Sequence, residues 1–268
     1  MARGALIGRY FPAQSPIHAL DPRAKALMTL AVIIIAFLAR TFAALAVCAA
    51  FIAGCIALAR IPWTQAVRSV APLMFMVVLT ALANLLFVQG GPVCFAAGPI
   101  VVTEAGARQA LFFGVRLTLL LFAASLLTLT TTSLDITEAT GRLLAPAARV
   151  GVPAHELSMM MGIALRFLPQ LSSEFSDVRN AQVSRGATFA RGGPAKRLGA
   201  LGALVVPLFA STFRHAETLA GAMEARCYHG GEGRTRLHPL SFGRGDVLGA
   251  CAIAALLMCV MGANALTG

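Results

Sequence analysis

The chain has 268 residues, 58% of them hydrophobic and 12% charged, with a mean hydropathy of +0.78. Soluble domains carry about 25% charged residues, so this composition excludes an ordinary soluble globular protein. A net charge of +11 raises the question of nucleic acid. Membrane proteins, however, collect Lys and Arg on cytoplasmic loops, and no basic groove with interleaved aromatics is present; no nucleic-acid partner is expected.

Residues 1–25 form a basic N-terminal segment, with Arg3, Arg9, Arg23 and Lys25 against one acid, Asp21. The first 24 residues contain no apolar stretch of the kind that marks a cleavable signal. Asp21 stands where a helix N-cap belongs and Pro22 fits the first helical position. The basic residues reach lipid headgroups, which puts this end in the cytoplasm.

Residues 26–132 carry only six charges: Arg40, Arg60, Arg68, Glu104, Arg108 and Arg116. One helix over 26–59 would be about 51 Å long against a hydrocarbon core of about 30 Å, so the chain turns near Arg40 and Thr41. The apolar runs predict four transmembrane helices at about 26–39, 41–59, 70–88 and 108–132. Arg60 to Arg68, with Trp63, reads as a cytoplasmic loop. Residues 89–106, with Gly90, Gly91, Pro92, Gly98 and Pro99, read as an external loop. Arg116 lies two turns inside the fourth span, where a charge costs about 2.5–3.5 kcal/mol. It is expected to face the bundle interior as a structural residue, satisfied by backbone carbonyls and by hydroxyls such as those of Thr118 and Thr128. A fifth, uncharged span occupies 247–268 and ends outside. The six cysteines form no CxxC pair, and Cys48, Cys55, Cys251 and Cys259 read as small buried hydrophobes.

Between spans four and five lies a polar block, 133–246, with 13 Lys/Arg and 9 Asp/Glu. Odd-even counting of the spans places it in the cytoplasm. It predicts helices over about 134–150, 154–184 and 198–228, with Ser133 as a possible cap of the first and Pro146 disturbing its end. In the second, Leu157, Met161, Leu165, Leu168, Leu171, Phe175 and Val178 step by three or four, which is an amphipathic period. The half from Leu198 to Phe213 is apolar enough to suggest a further span. It is short, and a span there would put the two arginine segments on opposite sides of the membrane. Pro169 and Pro207 each remove a backbone hydrogen bond and kink their helices, so the two long helices are expected to cross.

Each long helix ends in a similar segment: Ala181-Gln182-Val183-Ser184-Arg185-Gly186 and Ala222-Met223-Glu224-Ala225-Arg226-Cys227. A small residue precedes each arginine by four positions. A planar guanidinium can bind carboxylates or helix-terminal carbonyls bidentately. The small residues Ala181, Ser184, Ala222 and Ala225 would admit the helix end to a narrow groove, and Gly186 supplies a left-handed stop.

Catalytic and metal chemistry is not visible in the sequence. Gly230 to Thr235 is glycine-rich but lacks a P-loop lysine. His155-Glu156 begins an H-E-x-x-H pattern that fails at Met159. His18, His155, His215, His229 and His238 have no metal-ligand spacing, so no catalytic residue, metal or cofactor of this chain is expected. The alternative reading is a stand-alone integral membrane enzyme with a cytoplasmic site.

Several stretches resemble the transmembrane T component of energy-coupling factor (ECF) transporters. They are Leu20-Asp21-Pro22-Arg23-Ala24-Lys25, Ser125-Leu126-Leu127-Thr128-Leu129-Thr130-Thr131, Gly151-Val152-Pro153-Ala154-His155-Glu156-Leu157 and Ala164-Leu165-Arg166-Phe167-Leu168-Pro169. The two arginine segments, the latter continued by Tyr228, belong to the same set. The run from Gly230 to Leu237 is similar to the shared, vitamin-serving branch. The resemblance implies an all-α membrane protein of five transmembrane helices with a cytoplasmic coupling domain. It implies a scaffold in an ABC-type importer of vitamins or related micronutrients, held between two ATPase subunits and a substrate-binding S component. ATP and magnesium would belong to the ATPases. Arg185 and Arg226 match the ATPase-contacting arginines, in the settings Ser184-Arg185-Gly186 and Ala225-Arg226-Cys227, with Glu224, Pro169 and Pro207 in support. The family pattern is Ala-Arg-Gly at both, so Ser184 and Cys227 are departures.

Overall fold

A computed structural model describes residues 10–88, 90, 92–97, 100–144, 146, 151, 153–187, 193–230 and 242–267. The described chain is helical apart from one short hairpin, and it divides into two compact units. One comprises the described residues of 10–139 and 242–267; the other comprises those of 140–230.

In the first unit α1 (Pro22–Leu38) begins at the sequence signal: Pro22 lies in its first turn and the Asp21 carboxylate accepts from the Arg23 N–H. α2 (Phe42–Leu58) follows, with Thr41 as cap accepting from the Ala44 N–H. The connecting turn is tied to α9 (Arg244–Thr267) by Asn264, whose Oδ1 accepts from the Arg40 N–H at 2.9 Å while its Nδ2 donates to the Leu38 carbonyl at 2.9 Å. Two helices of this length rise about 25 Å each, so this turn closes a short helical hairpin.

α3 (Trp63–Val70) runs through a 3₁₀ turn, Ala71–Leu73, into α4 (Met74–Phe87). The expected loop from Arg60 to Arg68 is therefore corrected: most of it is helix. Hydropathy marked only the apolar part, and Pro72, with no N–H to donate, tightens the joint. The expected external loop also contains structure, since β1 (Val93–Ala97) pairs antiparallel with β2 (Ile100–Thr103); Gly91, Gly98 and Pro99 lie outside the described residues. α5 (Glu104–Thr130) starts four residues before the apolar run because the Thr103 side chain accepts from the Gly106 N–H.

The core of this unit is packed with small residues. Ala36, Ala39, Ala44, Ala59 and Ala66 are essentially inaccessible, beside Leu45, Cys48, Leu129 and Val260. Lipid supplies no hydrophobic drive between helices, so close approach over small side chains is what holds a bundle. Trp63–Phe87, Glu104–Thr130 and Arg244–Leu266 are long and apolar enough to cross a membrane, and Phe42–Leu58 is a shorter apolar helix. α4 turns Phe75, Met76, Val78 and Leu79 outward, which suits contact with lipid. Cys48 is buried, but Cys251 and Cys259 are exposed on α9, which corrects the expectation that they pack inside; α9 presents only one face to the bundle.

A polar seam closes one end of this unit. The Asp21 N–H donates to Asp246 Oδ1 at 2.9 Å, and Lys25 Nζ donates to the carbonyls of His18 and Thr130. Phe11 N–H donates to the Leu129 carbonyl. His18 bonds Ser15 through Nδ1 and the Phe11 carbonyl through Nε2. A carbonyl only accepts, so Nε2 carries the proton and Nδ1 accepts from the serine. Burial also holds the His18 pKa below its ordinary value.

In the second unit α6 (Ser133–Leu143) ends. Its cap is Thr132 rather than Ser133, with Thr132 Oγ1 accepting from the Asp135 N–H and donating to Asp135 Oδ2. The expected continuation to 150 falls mostly outside the described residues. α7 (Ala154–Ser184) and α8 (Pro194–Glu224) are each 31 residues. α8 starts at Pro194 rather than 198, because a first-turn proline needs no N–H partner. Residues 188–192 of the expected basic turn, and 231–241 with the glycine-rich run and His238, lie outside the described residues.

Candidate functional site

α7 and α8 lie antiparallel, as three contacts along their length establish. Tyr228 Oη donates to Met159 Sδ at 3.0 Å, His215 meets Glu174 at 2.7 Å, and Gln182 Nε2 donates to the Ala203 carbonyl at 3.4 Å. Arg185 therefore stands at one end of the pair and Arg226 at the other. From the level of Met159 to that of Gln182 is 23 residues, or roughly 35 Å of helix. The helices are amphipathic yet not fully covered. Val206 is 69% and Phe213 66% exposed, with Leu168, Phe175 and Phe209 also outward. A groove of about 510 Å³ is lined by Leu171, Phe175, Leu208 and Phe209 in the middle of the pair.

Both prolines sit inside uninterrupted helix. Pro207 has no N–H, which leaves the Ala203 carbonyl, four residues earlier, without its helical donor. Gln182 supplies that donor from α7. This residue lies within the first arginine segment, three positions before Arg185, and sequence reasoning did not assign it a role. The signal was available: a proline at 207 implies an orphaned carbonyl at 203, and a glutamine is a neutral donor able to fill it.

The two helix ends close in the same way. After α7, the Gly186 N–H donates to the Val183 carbonyl and the Ala187 N–H to Gln182, both at 2.9 Å. After α8, the Cys227 N–H donates to Glu224 at 2.9 Å and the Tyr228 N–H to Met223 at 3.0 Å. This is the paired closure in which a left-handed residue follows the last helical one. Gly186 holds φ 86° and Cys227 holds φ 54°. Cys227 thus takes the left-handed backbone conformation that Gly186 takes at the other end. The end of α2 closes similarly around Arg60, at φ 55°, so the closure alone is not distinctive. What distinguishes α7 and α8 is an exposed arginine immediately before the left-handed residue.

Arg185 and Arg226 are exposed, as are Ala181, Ser184, Ala222, Glu224 and Ala225 around them. Among the described residues neither guanidinium takes part in an ion pair. Each end offers a free cation on a small-residue shoulder, so the structure places the two sets of sequence-assigned residues at separate ends rather than in one site.

Midway along the pair is a polar cluster. His215 Nε2 lies 2.7 Å from Glu174 Oε1, and Ser211 Oγ donates to Glu174 Oε2 at 2.9 Å. Hydrogen bonds from His215, then Ser211 and Gln170, hold the Glu174 carboxyl below its ordinary pKa. The residue types are those of a hydrolytic triad, but the geometry is not. Ser211 and Glu174 both approach Nε2, the serine at 3.4 Å, whereas a base works between serine and acid through opposite ring nitrogens. Among the described residues no group of His, Cys, Asp and Glu is arranged to hold a metal.

Arg116 belongs to the other unit. Its guanidinium donates to the Ala39 carbonyl and lies over Phe112 at 4.6 Å and Phe113 at 5.5 Å. The carbonyl partner was expected; the hydroxyls were not recruited. Thr118 and Thr128 donate to Gly114 and Ala124, four residues back on their own helix.

The profile of the cobalt transport protein family CbiQ matches residues 13–237. The energy-coupling factor transporter transmembrane protein EcfT of Thermosediminibacter oceani is 44% identical over 245 residues, covering 91% of this chain and 92% of the relative. EcfT of Brevibacillus brevis is 40% identical over 262 residues, with 98% of both chains covered. EcfT of Bacillus subtilis is 38% identical over 260 residues, covering 96% of this chain and 98% of the relative.

Proposed function

We infer the role of this chain from one premise: it belongs to the CbiQ family, as a transmembrane component of an energy-coupling factor transporter. In the reading proposed here it is the scaffold that carries motion from two cytoplasmic ATPases to a substrate-binding S component, importing a vitamin or related micronutrient. Five spans cross the membrane. The N-terminus and the block containing α7 and α8 face the cytoplasm, and the C-terminus ends outside. The clustering of Lys and Arg in the N-terminal segment, around residues 60–68 and in the block supports that orientation.

One observation carries this reading. Two antiparallel helices present an exposed arginine at each far end, on matching turns. A pair of like sockets some tens of ångströms apart suits two copies or near-copies of one partner fold, each offering acidic groups or helix C-terminal carbonyls to a guanidinium fork. ATP and magnesium belong to those partners. The uncovered apolar face of α7 and α8 supports contact with a membrane-embedded partner such as an S component.

The test is reconstitution with the ATPases and an S component in proteoliposomes. Changing Arg185 and Arg226 together to alanine is expected to abolish ATP-driven uptake and to release the ATPases on purification. Undiminished uptake by the double variant would sink the docking role. The alternative, a stand-alone membrane enzyme, is not favoured, since the serine–histidine–acid cluster seen among the described residues of the block has both partners on a single nitrogen.

A further inference from the structure

Arg40 and Arg108 are two of the arginines that docking does not use. Arg40 occupies the α1–α2 turn, fixed there by Asn264, and Arg108 lies one turn into α5. Both are exposed, and both line a cavity of about 740 Å³ with Thr41, Phe42, Gln109 and Phe112. The Arg108 guanidinium lies 6.0 Å from the Phe42 ring, and Phe42 meets Phe112 edge to face at 5.3 Å. Two turns deeper along the same stripe of α5, Arg116 covers the inner side of Phe112, and its buried Nε has no partner among the described residues.

Two cations therefore line one cavity, and a third, Arg116, lies against the Phe112 ring that forms part of its wall. The nearest acid in sequence, Glu104, one turn before Arg108, takes part in no ion pair among the described residues. Like charges facing one cavity repel, and an anion seated between them relieves that repulsion. The depth indicates which anion. A helix-to-helix turn and the first turn of a long apolar helix both belong at the membrane–water interface, the level of lipid phosphates. Planar guanidinium forks on two sides suit a tetrahedral phosphate. The phenylalanine wall has nothing to offer a small hydrated ion but packs well against a glycerol ester and the start of an acyl chain.

We propose that this cavity binds the phosphate of an anionic phospholipid headgroup, clamped between Arg40 and Arg108 with Gln109 as a neutral donor. A zwitterionic headgroup fits poorly, because its ammonium would face the same arginines. Free inorganic phosphate shares the recognised chemistry and is separated from lipid by experiment.

The full-length chain in a neutral detergent is titrated with phosphatidylglycerol, phosphatidylcholine or inorganic phosphate, and bound lipid is counted by native mass spectrometry. One phosphatidylglycerol is expected to bind about tenfold or more tighter than phosphatidylcholine, and millimolar phosphate should not displace it. Arg40→Gln with Arg108→Gln should weaken that site at least tenfold, the loss expected for charge-assisted contacts. Arg40→Lys with Arg108→Lys should retain much of it. If the double glutamine variant does not fold, Arg108→Gln alone, at an exposed site, is expected to show about a tenfold loss. Equal lipid affinity in wild type and a folded glutamine variant would overturn the proposal. Displacement of the lipid by inorganic phosphate would overturn the lipid assignment in favour of a free-anion site.

Discussion

Cys227 holds a backbone conformation that costs an L-residue about 1 kcal/mol relative to glycine. Its side chain is exposed, yet the turn it occupies keeps both hydrogen bonds of the glycine-bearing turn at Gly186. The two arginine ends are thus alike in geometry and unlike in strain. Cys227→Gly is expected to stabilise the α8 terminus by about 1 kcal/mol, and Gly186→Ala to weaken the α7 terminus by about as much. Amide exchange at Tyr228 and Ala187, the N–H groups that span each turn, reads both changes. An unchanged Tyr228 rate in the glycine variant would mean that left-handed strain does not limit this end. The sequence exposes the asymmetry at once, because a glycine and a cysteine stand at matching positions; only the dihedral angles show that the cysteine conforms.

At the scale of the helix pair, Gln182 and Glu174 do different work. Gln182 satisfies a carbonyl that Pro207 orphans, so Gln182→Leu leaves a buried or half-buried acceptor unpaired at a cost of about 1–3 kcal/mol. Faster amide exchange in α8 around residues 203–208, with the α7 terminus unaffected, is the expected signature; unaltered exchange there would show that water replaces the glutamine. The Glu174 carboxyl titrates lower when folded than when unfolded, so its contribution is complete above its ordinary value of 4.5 and is lost as the pH falls through the lowered one. Cross-linking between cysteines introduced on facing turns of α7 and α8 should therefore become less specific as the pH falls below 4.5 and through the lowered value, and Glu174→Gln should remove that dependence. A pair insensitive to acid in the native chain would show that the cluster does not hold the helices together. Legibility at this scale divides by range. The start of α1 at Asp21 and Pro22 and the amphipathic period of α7 are local signals, set by caps and spacing. The helical stretch from Trp63 was hidden because polar residues at an interface resemble a loop, and the hairpin at 93–103 because its strands are short and flanked by Gly and Pro. The antiparallel pairing of α7 with α8 depends on contacts 21 to 69 residues apart, which no local pattern encodes.

For the whole molecule the separation of the two arginines is the quantity that matters. If each end seats in its own ATPase, binding is bivalent, and the second contact forms at the high effective concentration set by the first. Removing one charge-assisted arginine contact costs about 1.5–3 kcal/mol, or roughly ten- to 150-fold in affinity. Either single variant, Arg185→Ala or Arg226→Ala, should then keep the ATPases attached at micromolar protein but lose them at nanomolar dilution. The double variant should fail to hold them at either concentration. The pattern follows from having two ends rather than from the strength of either. A single replacement that abolishes capture outright at high concentration would mean that one end carries the assembly and the other is a passenger. A double variant that still captures both ATPases would place the contact elsewhere on the exposed face of α7 and α8. The strained turn at Cys227 gives the comparison a direction, because an end that is less firmly closed presents its arginine less rigidly. Arg226→Ala is therefore expected to weaken capture less than Arg185→Ala, and Cys227→Gly to narrow the difference, both read as dissociation rates of the ATPases from the immobilised chain.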